Sequence, residues 1–186
     1  MSAQILPLIT AADLETMPDD GNTYEIFEGE LFMSRAPNLK HQRTGTNFIV
    51  QIGGYLKRNP IGEIIATPGV IFDDYNSAIP DLVYISNELR DLIATGKHIE
   101  GAPELAIEII SPGAENRRRD QVVKRQTYAK FGVKEYWIAD AENRTIEVYR
   151  LRDGLLDLTA ILTARDELTT PLLPDFSCRV TDIFQS

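Results

Sequence analysis

Apolar and polar positions switch between two periods along this chain, and the switches mark its elements. Leu82-Val83-Tyr84-Ile85 and Leu105-Ala106-Ile107-Glu108-Ile109-Ile110 are short, almost continuous apolar runs rich in β-formers, which predicts strands covered on both faces. Tyr24-Glu25-Ile26-Phe27 and Leu31-Phe32-Met33 flank Glu28-Gly29-Glu30, the pattern of a hairpin turned at Gly29. Residues 63–67 and 70–72 read as strands broken at Pro68-Gly69, followed by a polar turn over 73–77. Residues 135–140 and the cleanly alternating 145–150 give two further strands, and Asp153-Gly154 predicts a hairpin into Leu155-Leu156-Asp157-Leu158.

Helical spacing takes over in four places. A short helix is predicted over 10–17, begun by Thr10 and ending before the Pro18–Asn22 turn. Phe48, Ile49, Ile52, Tyr55 and Leu56 define a longer one over 39–57, with Asn38 as its cap and Pro60 beyond its end. A third runs over 87–95, capped by Asn87 and stopped by Gly96, and a fourth over 115–131, stopped by Gly132. The order strand, helix, strand around this last helix predicts a crossover that returns the 135–140 strand parallel to the Glu108 strand. The fold class is therefore α/β, a central mixed β-sheet flanked by helices, with an N-terminal hairpin and C-terminal β additions. At 186 residues the chain is expected to be a single domain over 1–186, with its core over about 23–151 and a β extension over 152–186.

Composition changes this picture little, except through charge. The chain is 43% apolar and 25% charged, which fits a globular protein, and no run reaches membrane-spanning length. Without a basic, then hydrophobic, N-terminus the expected address is cytoplasmic, and the single Cys178 fits a reducing compartment. Trp137 reads as core, whereas Leu172-Leu173-Pro174-Asp175-Phe176 leaves large apolar groups in a loop-like context and offers a dimer surface. A net charge of −9 argues against a nucleic-acid partner, because phosphate binding needs basic surface. The charges are uneven, however. Lys40 and Arg43 open one helix and Arg117, Arg118 and Arg119 crowd another, so these five are candidates for phosphate contacts, with a solvated helix face as the alternative.

Concentrated chemistry lies between Pro80 and Lys124. Asp81 stands at the entrance of one buried strand and Glu108 in the middle of the next, where an unpaired charge would cost several kcal/mol and so requires a cation, a metal or a proton. At 100° per residue Asp120, Lys124, Thr127, Tyr128 and Phe131 share one helix side, so Lys124 leans toward the sheet. Each residue alone also fits a structural role: a turn cap for Asp81, an ion pair for Glu108 and Lys124. Together, two acids able to hold Mg²⁺ and a lysine able to position water or offset charge are what phosphodiester hydrolysis needs. Asp120, one turn before Lys124, could hold it in place, and Tyr128 lies on the same stripe. His41 falls inward at the first turn of its helix, either as a supporting residue or as a satisfied structural histidine. Glu25 alternates with Tyr24 and Ile26 and is either a further acid of the site or a solvent-facing strand residue. Asp73-Asp74 is a rival metal candidate, but turn acids are usually solvated. His98 sits in a loop, so no transition-metal set is assembled.

Pro80-Asp81, Glu108 within Ile107-Glu108-Ile109-Ile110-Ser111-Pro112, Asp120 with Lys124 and Tyr128, and Gly132-Val133-Lys134-Glu135-Tyr136-Trp137-Ile138 resemble the putative restriction endonuclease family of the PD-(D/E)XK nuclease superfamily. The resemblance extends from Tyr24-Glu25-Ile26 and Gly29-Glu30-Leu31 to the closing Leu172–Phe176 segment. It implies a restriction-endonuclease-like core and a divalent-metal-dependent endonuclease acting on DNA, with Asp81, Glu108 and Lys124 catalytic, Asp81 and Glu108 holding Mg²⁺ or Mn²⁺, and a homodimer or higher homo-oligomer. One departure is visible. The superfamily pattern places lysine two residues after Glu108, where this chain has Ile110, and the resemblance implies that Lys124 has taken over from the helix. Ile110 and the acidic net charge also suit a second function, a catalytically inactive nuclease-fold module that binds nucleic acid or protein.

Overall fold

The computed structural model describes residues 7–94, 96–110 and 119–185. Its centre is a mixed six-stranded sheet. In chain order its strands are β3 (Gly62–Ala66), β6 (Leu82–Ser86), β8 (Leu105–Ile109), β9 (Glu135–Asp140), β10 (Thr145–Arg152) and β11 (Leu155–Leu162), lying side by side as β11-β10-β9-β8-β6-β3. The β8–β9 pair is parallel, with Glu108 opposite Ile138, as the strand-helix-strand order predicts; its other pairs are antiparallel. A second, five-stranded sheet has the order β2-β1-β5-β4-β7, built from β1 (Asn22–Phe27), β2 (Glu30–Arg35), β4 (Val70–Asp73), β5 (Asn76–Ala78) and β7 (Ile99–Glu100). Strands β12 (Glu167–Thr169) and β13 (Ser177–Arg179) pair separately.

The central sheet buries both faces, which explains its uninterrupted apolar runs. Leu105, Ile107 and Ile109 pack on one side with Phe48, Ile52 and Tyr55 of α2 (Leu39–Arg58) and with Leu173, Phe176 and Ile183 near the C-terminus. Ala106 and Ile110 pack on the other side with Tyr128, Ala129, Tyr136 and Ile138. Glu108 belongs by alternation to this second side. A π-helical turn over Arg119–Lys124 runs directly into α4 (Arg125–Phe131) there, and Gly132 ends that helix with φ 88°.

Several local expectations shift. The helix expected over 10–17 shortens to α1 (Ala11–Leu14), which buries no residue and so has no packing to offset the cost of propagation. Ser86, not Asn87, caps α3 (Asn87–Ile93): Ser86 accepts from the Leu89 N–H, while the Asn87 oxygen accepts from Arg90 and its amide donates to the Pro60 carbonyl at 2.7 Å. Residues 172–176 offer no exposed apolar face: Leu173 and Phe176 are buried, and Tyr55 donates to the Pro174 carbonyl at 2.6 Å. A loop-like sequence can be core when a long helix lies across it. The last helix is α5 (Val180–Ile183).

Two glycines on neighbouring elements answer to opposite constraints. A Cβ on Gly62 would stand 2.3 Å from the Ile85 carbonyl oxygen, across the β3–β6 ladder, so this position closes to any side chain. Gly53, inside α2, would place its Cβ no closer than 3.8 Å to Ile64. Gly62→Ala should therefore lower stability by about 1–3 kcal/mol through overpacking, and Gly53→Ala should raise it by about 0.5–1 kcal/mol through helix propensity. Urea unfolding of the two variants beside wild type checks both signs.

Candidate active site

Three segments remote in sequence bring their chemistry to one cavity of 680 Å³. Asp81 precedes β6, and its carbonyl accepts from the Thr67 N–H at 2.9 Å. Its side-chain Oδ2 accepts from the Ile109 N–H of neighbouring β8 at 2.7 Å and lies 3.1 Å from Nε2 of His41. His41 is buried in the first turn of α2, and its own N–H is capped by Asn38 Oδ1 at 2.9 Å, as the Asn38 signal predicts. Asp81 is thus gripped by a strand edge and a helix start, with its side chain 21% exposed toward the cavity.

Glu108 meets the helix that crosses its face. Its Oε1 accepts from Lys124 Nζ and from the Tyr128 hydroxyl, each at 2.9 Å. Lys124 is 2% exposed, and the same ammonium lies 2.9 Å from Oε1 of Glu25. Glu25 is fixed in turn by the Ile79 N–H at 2.9 Å. The solvent-facing alternative for Glu25 fails because the five-stranded sheet is covered on the side where Glu25 points. The flanking Tyr24, Ile26 and Phe27 are the one hint the sequence offers, an acid within an apolar stretch, but alternation by itself leaves either face open to it.

The π turn revises the geometry expected of Asp120. A wider turn takes Lys124 out of one-turn register, so its ammonium lies 4.0 Å from Asp120 Oδ1 while Arg119 pairs with the same oxygen at 3.2 Å. Asp120 is anchored through its backbone as well, since its carbonyl accepts from the Tyr136 hydroxyl at 2.9 Å. Tyr136 had no sequence signal beyond its place in an apolar strand. Among the other candidates, Arg119 lines the cavity, whereas exposed Lys40 is spent on Glu142 at 2.7 Å and neither Lys40 nor Arg43 reaches the cavity. Arg117 and Arg118 lie outside the described residues. The rival Asp73 caps its own turn, accepting from the Tyr75 N–H and the Asn76 amide at 2.9 Å, and it is not part of the cavity wall.

Acids outnumber permanent cations here: Glu25, Asp81, Glu108 and Asp120 face Arg35, Arg119 and Lys124. Burial pushes the Glu108 carboxyl well above its ordinary range; Lys124 opposes this, and Asp81, Asp120 and Glu25 add to it. Burial also raises Asp120, against the pull of Lys124 and Arg119. For Lys124 burial acts downward, but the charges of Glu108, Glu25 and Asp120 together overcome it and hold the ammonium above its usual value. Such a cluster is completed by protons or by a further cation. The donor set suits a hard divalent ion, because the contacts described fall on Oδ2 of Asp81 and Oε1 of Glu108, leaving Oδ1 and Oε2 for it. Among the described residues no three His, Cys, Asp or Glu side chains form a metal-binding group, so such an ion would draw the rest of its shell from water and substrate oxygens, the habit of Mg²⁺.

Removing the central cation should expose this imbalance. Lys124→Met leaves buried acids without their partner and is expected to cost about 3–5 kcal/mol. Folded-state acids with raised pKa values hold protons that the unfolded chain has released, so stability falls as pH rises above the ordinary carboxylate range. The deficit of Lys124→Met relative to wild type should accordingly be larger at pH 8 than at pH 5.5, as measured by urea unfolding at the two values.

Among the described residues no helix is long and apolar enough to cross a membrane. Comparison with solved structures finds a protein from Anabaena variabilis described as a "putative nuclease belonging to DUF820", with a TM-score of 0.76, 20% identity, and coverage of 95% of this chain and 97% of that one. At that identity the likeness carries the fold. No curated protein matches the chain. The model of the Uma2 family, described as "Putative restriction endonuclease", matches residues 11–181, and the chain belongs to that family.

Proposed function

We propose that this chain is a divalent-metal-dependent endonuclease that hydrolyses phosphodiester bonds in DNA at the cavity framed by Asp81, Glu108 and Lys124. The observation that carries this reading is the meeting of Lys124 with Glu108 at 2.9 Å beside Asp81, on the wall of one open cavity. Ile110 leaves the superfamily's usual lysine position apolar, packed with Tyr128 in the core, and the ammonium reaches Glu108 from the helix instead. Family membership supports nuclease chemistry, and the fold match agrees with it.

The roles follow from the contacts. Asp81 and Glu108 would hold Mg²⁺ or Mn²⁺ through Oδ1 and Oε2. A hard divalent ion bound there supplies charge neutralisation at the scissile phosphate and a lowered pKa for attacking water. His41 and the Ile109 N–H fix the Asp81 carboxylate on its far oxygen, so that the near one is oriented before substrate arrives. The Tyr128 hydroxyl does the same for Glu108. Lys124 is held protonated by its acids, which excludes it as a proton acceptor at neutral pH and assigns it to stabilising negative charge that develops on the phosphoryl oxygens. Glu25 and Asp120 keep that ammonium in place.

Plasmid nicking tests the assignment. Asp81 is the right position to alter, because an asparagine still accepts from the Ile109 N–H and the side chain is partly exposed, so Asp81→Asn should fold as wild type does. Wild type should cut with Mg²⁺ or Mn²⁺ and stop in EDTA, and Asp81→Asn should lose on the order of a hundredfold or more in rate. Equal cutting by both proteins, or cutting in EDTA, overturns the catalytic assignment. Nucleic-acid binding without cutting by either supports the inactive-module reading instead.

A further inference from the structure

A second cavity, of 320 Å³, adjoins the first: Thr23 and Ile79 line both. Strand β1 contributes to both, whereas β2 lines the first alone. Met33 and Arg35 are on the wall of the first cavity, and both are exposed on the outer edge of the five-stranded sheet, where β2 is the terminal strand. By strand alternation they share one face of β2, and the register places Tyr24 of β1 directly opposite Met33 on that face. Tyr24 and His98 line the second cavity. Gly69 is what admits the imidazole, because a Cβ there would stand 2.7 Å from His98 Nδ1.

Charge gives this path a direction. Of the cations on the first cavity's described wall, Lys124 and Arg119 are spent on buried acids, whereas Arg35 has no ion-pair partner among the described residues. A polyanion reaching a cavity rich in carboxylates, on a chain of net charge −9, needs such a cation at the entrance. Beyond it come an apolar side chain, Met33, 59% exposed, and an aromatic ring at a pocket large enough for one nucleobase. A cation followed by exposed apolar and aromatic surface is how proteins hold unpaired nucleotides, the phosphate on the charge and the base on the ring. A stacked duplex cannot offer a base to a pocket of this kind without first unpairing it.

Resting on the nuclease reading above, we infer that the outer face of the β1–β2 hairpin is a single-strand platform: Arg35 binds a phosphate next to the scissile one, and the adjacent base stacks on Tyr24 in the second cavity. The substrate class is therefore unpaired or frayed nucleic acid. Arg35 and Tyr24 are positioning residues, since neither touches the reacting phosphate.

Binding is measured with Asp81→Asn as the non-cutting background, using fluorescein-labelled single-stranded and duplex oligonucleotides of one sequence, with Mg²⁺. The single strand should bind on the order of tenfold tighter or more. Tyr24→Leu should remove on the order of tenfold of that affinity, and Tyr24→Phe, which keeps the ring and loses only the hydroxyl bonded to Asp20, should bind as the background does. Arg35→Gln should reduce the slope of log affinity against log salt by about 0.7, the value for one phosphate contact on a single strand. Equal or tighter duplex binding, or an unchanged salt slope with Arg35→Gln, overturns the platform. Cutting of the single-stranded oligonucleotide by wild type but not Asp81→Asn separates the two readings: if it persists while the platform variants bind normally, only the platform falls, and if neither that strand nor plasmid is cut, the nuclease reading falls while selective single-strand binding still upholds the platform.

Discussion

One buried ammonium sets the form of this site. Lys124 lies where burial alone would strip its proton, and it stays charged because carboxylates from a hairpin strand, a central strand and its own helix surround it. Each of those acids would be untenable without it, since burial raises Glu108 and Asp120 toward neutrality. The arrangement ties together three elements that hydrophobic packing alone would leave free to slide: β1, β8 and the helical segment that crosses them. It also leaves the cavity with more acids than cations, which is the electrostatic condition that favours a divalent ion.

The π turn over Arg119–Lys124 is part of the same constraint. An α-helical turn would set Lys124 above Asp120 as a conventional one-turn pair, an arrangement that satisfies the lysine locally. The wider winding separates that pair to 4.0 Å, hands Asp120 to Arg119, and releases the ammonium to Glu25 and Glu108. Tyr136, reaching from β9 to the Asp120 carbonyl, ties this irregular turn to the sheet. A local departure from regular helix is thus held by tertiary contacts, as expected where backbone geometry serves a site.

The burial of Glu108 and Lys124 was legible from periodicity, because a charge in the middle of an apolar strand and a lysine on an aromatic helix stripe both point inward, whereas Asp81 was marked only by its place at a strand entrance. The central sheet, with its parallel β8–β9 pair, was legible for the same reason. What failed did so where one element's environment depends on another far away in sequence. Alternation around Glu25 leaves its side open until the helical segment carrying Lys124 is seen to cover it. Leu173 and Phe176 carry no period that marks them as core, and their burial follows from packing with α2, the central sheet and the C-terminal residues 178–184. The π turn changes register within a segment whose composition suits an ordinary helix.

On the nuclease reading proposed above, Ile110 stands where the resembled pattern has its lysine, and the ammonium beside Glu108 comes from the helix instead. A lysine two residues after Glu108 would share that residue's face of β8, the face now filled by Ile110 against Tyr128 and Ala129. Moving the cation to the helix frees that space for packing, and Tyr128 gains a hydroxyl contact to Glu108 from the same helix. On that reading, charge stabilisation depends on where the ammonium ends, not on which backbone carries it. The cost is a lysine whose placement depends on tertiary structure: β1, β8 and the π turn must all be in place before the charge is aimed. Assembly of the fold and assembly of the site are therefore one event.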